Sequence, residues 1–236
     1  MSYNSEVIPY VRSVLSKIDQ ALLSKEEWFV FPSDSSDGRT NSQQGEHQVA
    51  EYLLSYPTLF ELLVNKDAKK KAKDEDNRAF GDIGIDITRF GYEKSFPCNI
   101  KIISESNKCG NNACGLTNLI GYTFNKKCSN HDNVIEILID VDKSGYDNYV
   151  PLLYGLIMVQ KENKKCWIGT FDEVPEKYIG TNPSNPLQVP FLTDRVSRTN
   201  KEYISLLIKK IVEYHTKKSR PLAMWNSYQV SKISGQ

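Results

Sequence analysis

Asn99 and Lys101 stand two residues apart in a run, Phe96–Ile103 (FPCNIKII), whose composition predicts a β-strand. Residues i and i+2 of a strand leave the same face, so an amide oxygen and an ammonium share one side there. A second predicted strand, Ile83–Phe90, precedes it across a polar turn at Gly91–Ser95. That strand carries Asp86 in its middle, and Asp82 stands at its head after Gly81. A register that sets Asp86 against Lys101 brings carboxylate, amide and amine together; Asp82 is the alternative carboxylate. Such a trio can hold a divalent metal ion through oxygen and meet a phosphate with the amine. A lysine beside a metal can orient or deprotonate an attacking water, because neighbouring cationic charge and partial burial lower its pKa. The chemistry this predicts is metal-assisted hydrolysis of a phosphodiester.

The elements that must position these groups are legible in outline. Val11, Leu15, Ile18 and Leu22 form a helical stripe over residues 10–24, with Pro9 suited to its first turn. Trp28–Pro32 reads as a short strand or anchoring segment, and the polar run 33–45 as a loop. Glu46–Leu54 returns to helical spacing and offers Glu46 or Glu51 to the hairpin. Thr58 and Glu61 have the spacing of a capping box opening the helix TLFELLV, and the charge run 66–78 follows. Beyond the hairpin, Leu116–Phe124 is a predicted helix. Val134–Val141, Tyr149–Gln160 and Cys166–Phe171 are predicted strands, the second suited to a central strand buried on both faces, with a buried helix as the alternative. Residues 180–198 hold three of the ten prolines and read as an irregular loop. Thr199-x-x-Glu202 is a second capping box, opening a helix to about Lys218 with Ile204, Leu207, Ile208 and Ile211 on one face. The expected fold is α/β, a central mixed β-sheet flanked by helices, in one domain over residues 1–236.

Asp86, then Asn99-Ile-Lys101, with an acidic helix upstream, resembles the core of the PD-(D/E)xK nucleases. The nearest likeness is to type II restriction endonucleases with Asn in place of the acidic residue, and it covers roughly residues 45–140. The resemblance implies a restriction-endonuclease-like core over about 45–172 and a magnesium-dependent endonuclease, usually a homodimer. Such enzymes cut both strands of double-stranded DNA at a short palindromic site. By the same resemblance Asp86 or Asp82 binds Mg2+, the carbonyl of Ile100 is a further ligand, Lys101 sits beside the attacking water, and Glu46 completes the catalytic set. Asn99 brings an oxygen but no charge, which favours a one-metal mechanism. A repair or resolving nuclease would share this site, and a non-catalytic DNA-binding protein is the alternative from another class.

Two rival matches to the motif exist. Glu162-x-Lys164 falls in KENKK, a predicted hairpin turn, and Asn125-x-Lys127 follows a helix; only Asn99 and Lys101 lie mid-strand. Cys109, Cys114, Cys128 and His131 can be written as a zinc site, although the stretch between the pairs reads as core helix. No nucleotide-binding glycine motif is present, and three scattered histidines give no triad. Expected DNA contacts are Arg39 and Asn41 in the first polar loop, and Ser104, Asn107 and Lys108 after the Lys101 strand. Asn182, Asn185 and Gln188 on the proline-rich loop add amide edges for reading bases. Arg195, Arg198, Lys209 and Lys217 belong to the basic segment 194–220, which has eight Lys/Arg (195, 198, 201, 209, 210, 217, 218, 220) against acids at 194, 202 and 213.

The totals set the frame for these readings. With 236 residues, 39% of them hydrophobic, the chain has ample length for a core. A net charge of +1 means a nucleic acid must be met by local patches. No run suits a membrane span, the first residues do not read as a signal peptide, and five cysteines suit a reducing compartment; the expected location is cytoplasmic.

Overall fold

The computed structural model describes residues 3, 5–31, 38–65, 81–105, 111–112, 115–181, 187–217 and 222–234. Helix α1, Val7–Ser24, buries Val7, Val11, Val14, Leu15, Ile18, Ala21 and Leu22, the stripe its sequence spacing demands. Helix α2, Gly38–Ser55, starts well before the predicted Glu46 and takes in the end of the polar run. The stretch 56–62 forms consecutive turns in place of the helix expected from Thr58, and leads into strand β1, Leu63–Asn65.

Strands β2 (Ile83–Ile85) and β3 (Phe96–Ile103) pair antiparallel, and β3 runs parallel to β5 (Gly155–Gln160). Strand β6, Cys166–Thr170, pairs antiparallel with β5, giving a five-stranded mixed sheet in the order β1-β2-β3-β5-β6. The parallel β3/β5 step requires a crossover. Helices α3 (Leu116–Thr123) and α4 (His131–Ser144) supply it. Strands β4 (Asn111–Asn112) and β7 (Gln188–Val189) form a separate pair, so the proline-rich loop holds a short strand. Helices α5 (Asn200–Lys217) and α6 (Ala223–Ser234) close the chain.

Three further predicted elements differ. Residues 134–141 form part of α4, whose buried Val134, Ile135, Ile137, Leu138 and Val141 follow helical spacing behind an Asn130 N-cap that accepts from Asn133 N–H. Trp28–Phe31 is not a strand; it anchors by side chains, with Trp28 Nε1 donating to the Gln160 carbonyl at 3.0 Å. The strand expected over Ile83–Phe90 stops at Ile85, and a short 3-10 turn, Thr88–Phe90, replaces its second half. The Thr199 capping box is present as expected: Thr199 N–H donates to Glu202 Oε2 at 2.7 Å and Glu202 N–H to Thr199 Oγ1 at 3.2 Å. Residues 66–78 lie outside the described residues.

Buried Ile100, Ile157 and Leu156 sit in the middle of one continuous hydrophobic cluster that joins the sheet to α1, α4 and α5. No described helix is long and apolar enough to cross a membrane.

Candidate active site

The register decides which aspartate meets Lys101. Ile83 pairs with Cys98 and Ile85 with Phe96, so Asp82 lies across from Asn99 and Asp86 across from Ser95. The expected pairing of Asp86 with Lys101 is therefore corrected: Asp86 sits six residues from Lys101 along the strand pair, about 20 Å at the rise of a β-strand. Its carboxylate has a local task. Oδ1 accepts the Thr88 N–H at 2.8 Å, an Asx turn that ends the strand and opens the 3-10 turn. The N–H and hydroxyl of Thr88 hold the Asp86 carboxyl below its usual range.

Asp82 is positioned by a glycine. Gly81 has φ of 95°, and a Cβ there would meet the Cys98 carbonyl at 2.9 Å, so only glycine lets the chain enter β2 this close to β3. Asp82 N–H then donates to the Cys98 carbonyl at 2.8 Å, and Asp82 Oδ2 accepts the Ile100 N–H at 2.7 Å. The Ile103 carbonyl accepts from Lys161 N–H, so the backbone polar groups of 99, 101 and 103 face β5. Those of 98, 100 and 102 face the other edge. The Ile100 carbonyl lies on that same edge, next to the Ile100 N–H that Asp82 accepts.

Helix α2 packs against β3 and β1 beside this site. Gly45 packs its backbone against β3, where an added Cβ would lie 3.0 Å from Ile102 Cγ1 and from Phe31 Cδ1. The next residue, Glu46, reaches Lys101: Oε1 to Nζ is 2.8 Å, with the side chains 16% and 17% exposed. Ser42 Oγ lies 3.4 Å from the same oxygen. Glu51, the other helix acid considered, pairs with His47 on the exposed side at 3.1 Å. Burial raises the Glu46 carboxyl pKa; Lys101 opposes the shift and the charge of Asp82 adds to it, with the net direction upward. Two carboxyl groups and one ammonium are therefore close enough to act on one another, with Glu46 and Lys101 both largely buried. Asn99 is 8% exposed on the same strand.

Asp82 Oδ1 and Glu46 Oε2 make no hydrogen bond among the described residues. Together with the Ile100 carbonyl they form a hard-oxygen donor set of the kind that suits magnesium, which needs one or two carboxylates and keeps waters or substrate oxygens. No cluster of three or more His, Cys, Asp or Glu side chains able to hold a metal exists among the described residues. For the zinc alternative, Cys109 and Cys114 lie outside the described residues, and Cys128, its thiol pushed up to about 11 by burial, donates weakly to the Asn130 carbonyl at 3.8 Å.

The expected DNA contacts scatter. Arg39 and Asn41 fall in the first turns of α2, where the backbone alone is described, and Asn107, Lys108, Asn182 and Asn185 lie outside the described residues. Ser104 donates its hydroxyl to Glu162, and Gln188 is in β7. The basic C-terminal residues have local partners. Lys209 pairs with Glu176 at 2.6 Å and Lys217 with Glu213 at 2.8 Å. Arg198 donates to the carbonyls of Asp172 and Val174, and Arg195 lies over the Trp167 ring near Glu173. The tight backing of Gly45 against Ile102 is what sequence reasoning missed, since a glycine inside a helix gives no sign of what it packs on. No protein-family model matches the chain, and no curated protein is significantly similar to it.

Proposed function

We propose that the chain is a metal-dependent nuclease, with Asp82, Asn99, Lys101 and Glu46 at its active centre. The observation that carries this reading is the meeting of Glu46 Oε1 with Lys101 Nζ at 2.8 Å beside an Asp82 carboxylate held on the Ile100 N–H at 2.7 Å. When bound, a divalent cation supplies charge neutralisation at the scissile phosphate and lowers the pKa of water beside it. Asp82, Glu46 and the Ile100 carbonyl are the groups that would hold it. Lys101 puts an ammonium where the phosphate's charge and an attacking water would lie, and Glu46 fixes the position of that ammonium. Asn99 adds a neutral amide on the same face. The Ile100 N–H keeps the Asp82 carboxylate oriented without consuming both of its oxygens.

With Asp82 taking the metal-ligand place, Asp82, Asn99 and Lys101 are the residues on which the likeness to the restriction endonucleases rests. The proposal extends on that likeness to Mg2+, to double-stranded DNA cut at a short site, and to a homodimer, in a type II restriction role. A non-catalytic DNA-binding protein is the second reading, favoured by one oxygen of each carboxylate already being engaged within the fold. The test is digestion of long phage DNA with magnesium, comparing wild type with Lys101→Ala. Discrete fragments from wild type and a loss of at least about 100-fold in the variant are expected, the scale of removing one charge-stabilising group. Equal cutting by both proteins removes the assignment, and binding without cutting by wild type selects the second reading.

A further inference from the structure

We propose that the tip of the β5–β6 hairpin, Lys161–Lys165, is a backbone-gripping element for duplex DNA, holding phosphates adjacent to the bond that Lys101 faces. This rests on the nuclease reading for its substrate, but its evidence is separate. The tip reads KENKK, three lysines and one acid. The acid is engaged at the surface: Glu162 accepts the Ser104 hydroxyl, and its Oε2 accepts the Glu105 N–H at 2.8 Å. Asn163 Nδ2 adds a contact to Glu105 at 3.4 Å, and Gln160 N–H to the Lys165 carbonyl at 2.9 Å closes the hairpin. The slight burial of Glu162 acts to raise its pKa, and the Ser104 hydroxyl, the Glu105 N–H and the Lys161 charge together outweigh it, leaving the carboxyl below its usual range. The turn is therefore docked on the end of β3 by its one carboxylate.

The lysines are left over. Lys164 and Lys165 are exposed and Lys161 is half-exposed; none has a carboxylate within 4 Å among the described residues. Lys126, Lys177, Lys209, Lys217 and Lys232, by contrast, each pair at 2.9 Å or less. Ammonium groups on a hydrogen-bonded turn with no close ion pair to break suit a polyanion. The location fits the candidate centre. From Lys101 to Ser104 is three residues, about 10 Å along the strand. A DNA strand presents a phosphate every ~3.4 Å of helix axis, so the tip lies within reach of about three phosphates of the reacting bond.

The test measures binding, not cleavage: the full chain and a Lys161→Gln/Lys164→Gln/Lys165→Gln variant are titrated with a short mixed-sequence DNA duplex in calcium across a salt series. The slope of log affinity against log salt should fall by about 2 to 3 in the variant, near 0.9 per lost phosphate contact. Matching thermal melts establish that both are folded. An unchanged slope overturns the proposal, whatever the protein cleaves. Wild-type binding that is tighter to phosphatidylserine vesicles than to the duplex also overturns it, assigning the lysines to a lipid surface. Wild type that binds the duplex with the expected slope change yet never cuts it in magnesium leaves this element standing and removes the nuclease reading instead.

Discussion

The β2–β3 pair carries an aspartate near each end, four residues apart in sequence, and the two are put to different uses. Asp86 gives Oδ1 to the N–H of Thr88 two residues ahead, a local bond that forms a turn. Asp82 gives Oδ2 to the N–H of Ile100 on the partner strand and has Oδ1 to spare. Asp86 lies across from Ser95 and the turn; Asp82 lies across from Asn99, where α2 brings in Glu46. Residue type alone does not separate them. The nearest unpaired N–H does, because a carboxylate is taken by whichever donor the backbone offers it first.

The sharpest way to break this comparison is to neutralise each aspartate in turn. Asp82→Asn should cut magnesium-dependent cleavage by about 100-fold or more, on the scale of losing a charge-stabilising or ligand group. Asp86→Asn should stay within about threefold, since the site keeps its groups and only a turn is disturbed. The reverse ranking in initial-rate measurements would return the catalytic role to Asp86. Next in size is Gly81→Ala. Its Cβ would press on the Cys98 carbonyl at 2.9 Å from a backbone at positive φ, a strain of about 1–3 kcal/mol. Denaturant melts should show that loss. Cleavage should fall further than the Asp86 variant's, because the strain bears on the residue that carries the Asp82 carboxylate.

How far this was legible follows from the same residues. The helical stripe of α1, the Thr199–Glu202 box and the strand holding Asn99 and Lys101 were readable because periodicity and capping chemistry are local. Residues 134–141 were misread as strand because VIEILIDV satisfies both periods; the Asn130 cap and the glycine at 145 were the deciding signals. The register of β2 on β3 was not legible, since a hairpin read as tight hid a ten-residue connection over 86–95. That an Asp followed two residues later by Thr starts a turn was the available clue. The Glu46–Lys101 meeting depends on how closely α2 approaches β3 at Gly45, a tertiary contact that no single stretch encodes. Nor does a count of basic residues reveal which are already paired: the 194–220 segment has the larger surplus, yet Lys209 and Lys217 are spent on Glu176 and Glu213.

The smallest effect expected is also the one that sets the two ends apart by sign. Glu46, beside Asp82, has its carboxyl pKa raised above 4.5, chiefly by burial, so the folded protein holds that proton more tightly than the unfolded chain does. Its stabilising contribution is complete below the unfolded value and is lost as pH rises through the folded one. Asp86 has its pKa lowered below 3.8 by Thr88, so its contribution is complete above the unfolded value and is lost as pH falls through the folded one. Thermal melts between about pH 3 and 7 should therefore diverge from wild type in opposite directions. Glu46→Gln removes a component that declines with rising pH, and Asp86→Asn removes one that declines with falling pH. Magnesium should steepen the contrast at one end only, because a cation held by Glu46 competes with its proton, whereas Asp86 is bonded to Thr88 and the Asp86→Asn difference curve should not move. A magnesium shift in the Asp86 difference, or none in that of Glu46, would mean that the two ends had been assigned the wrong way round.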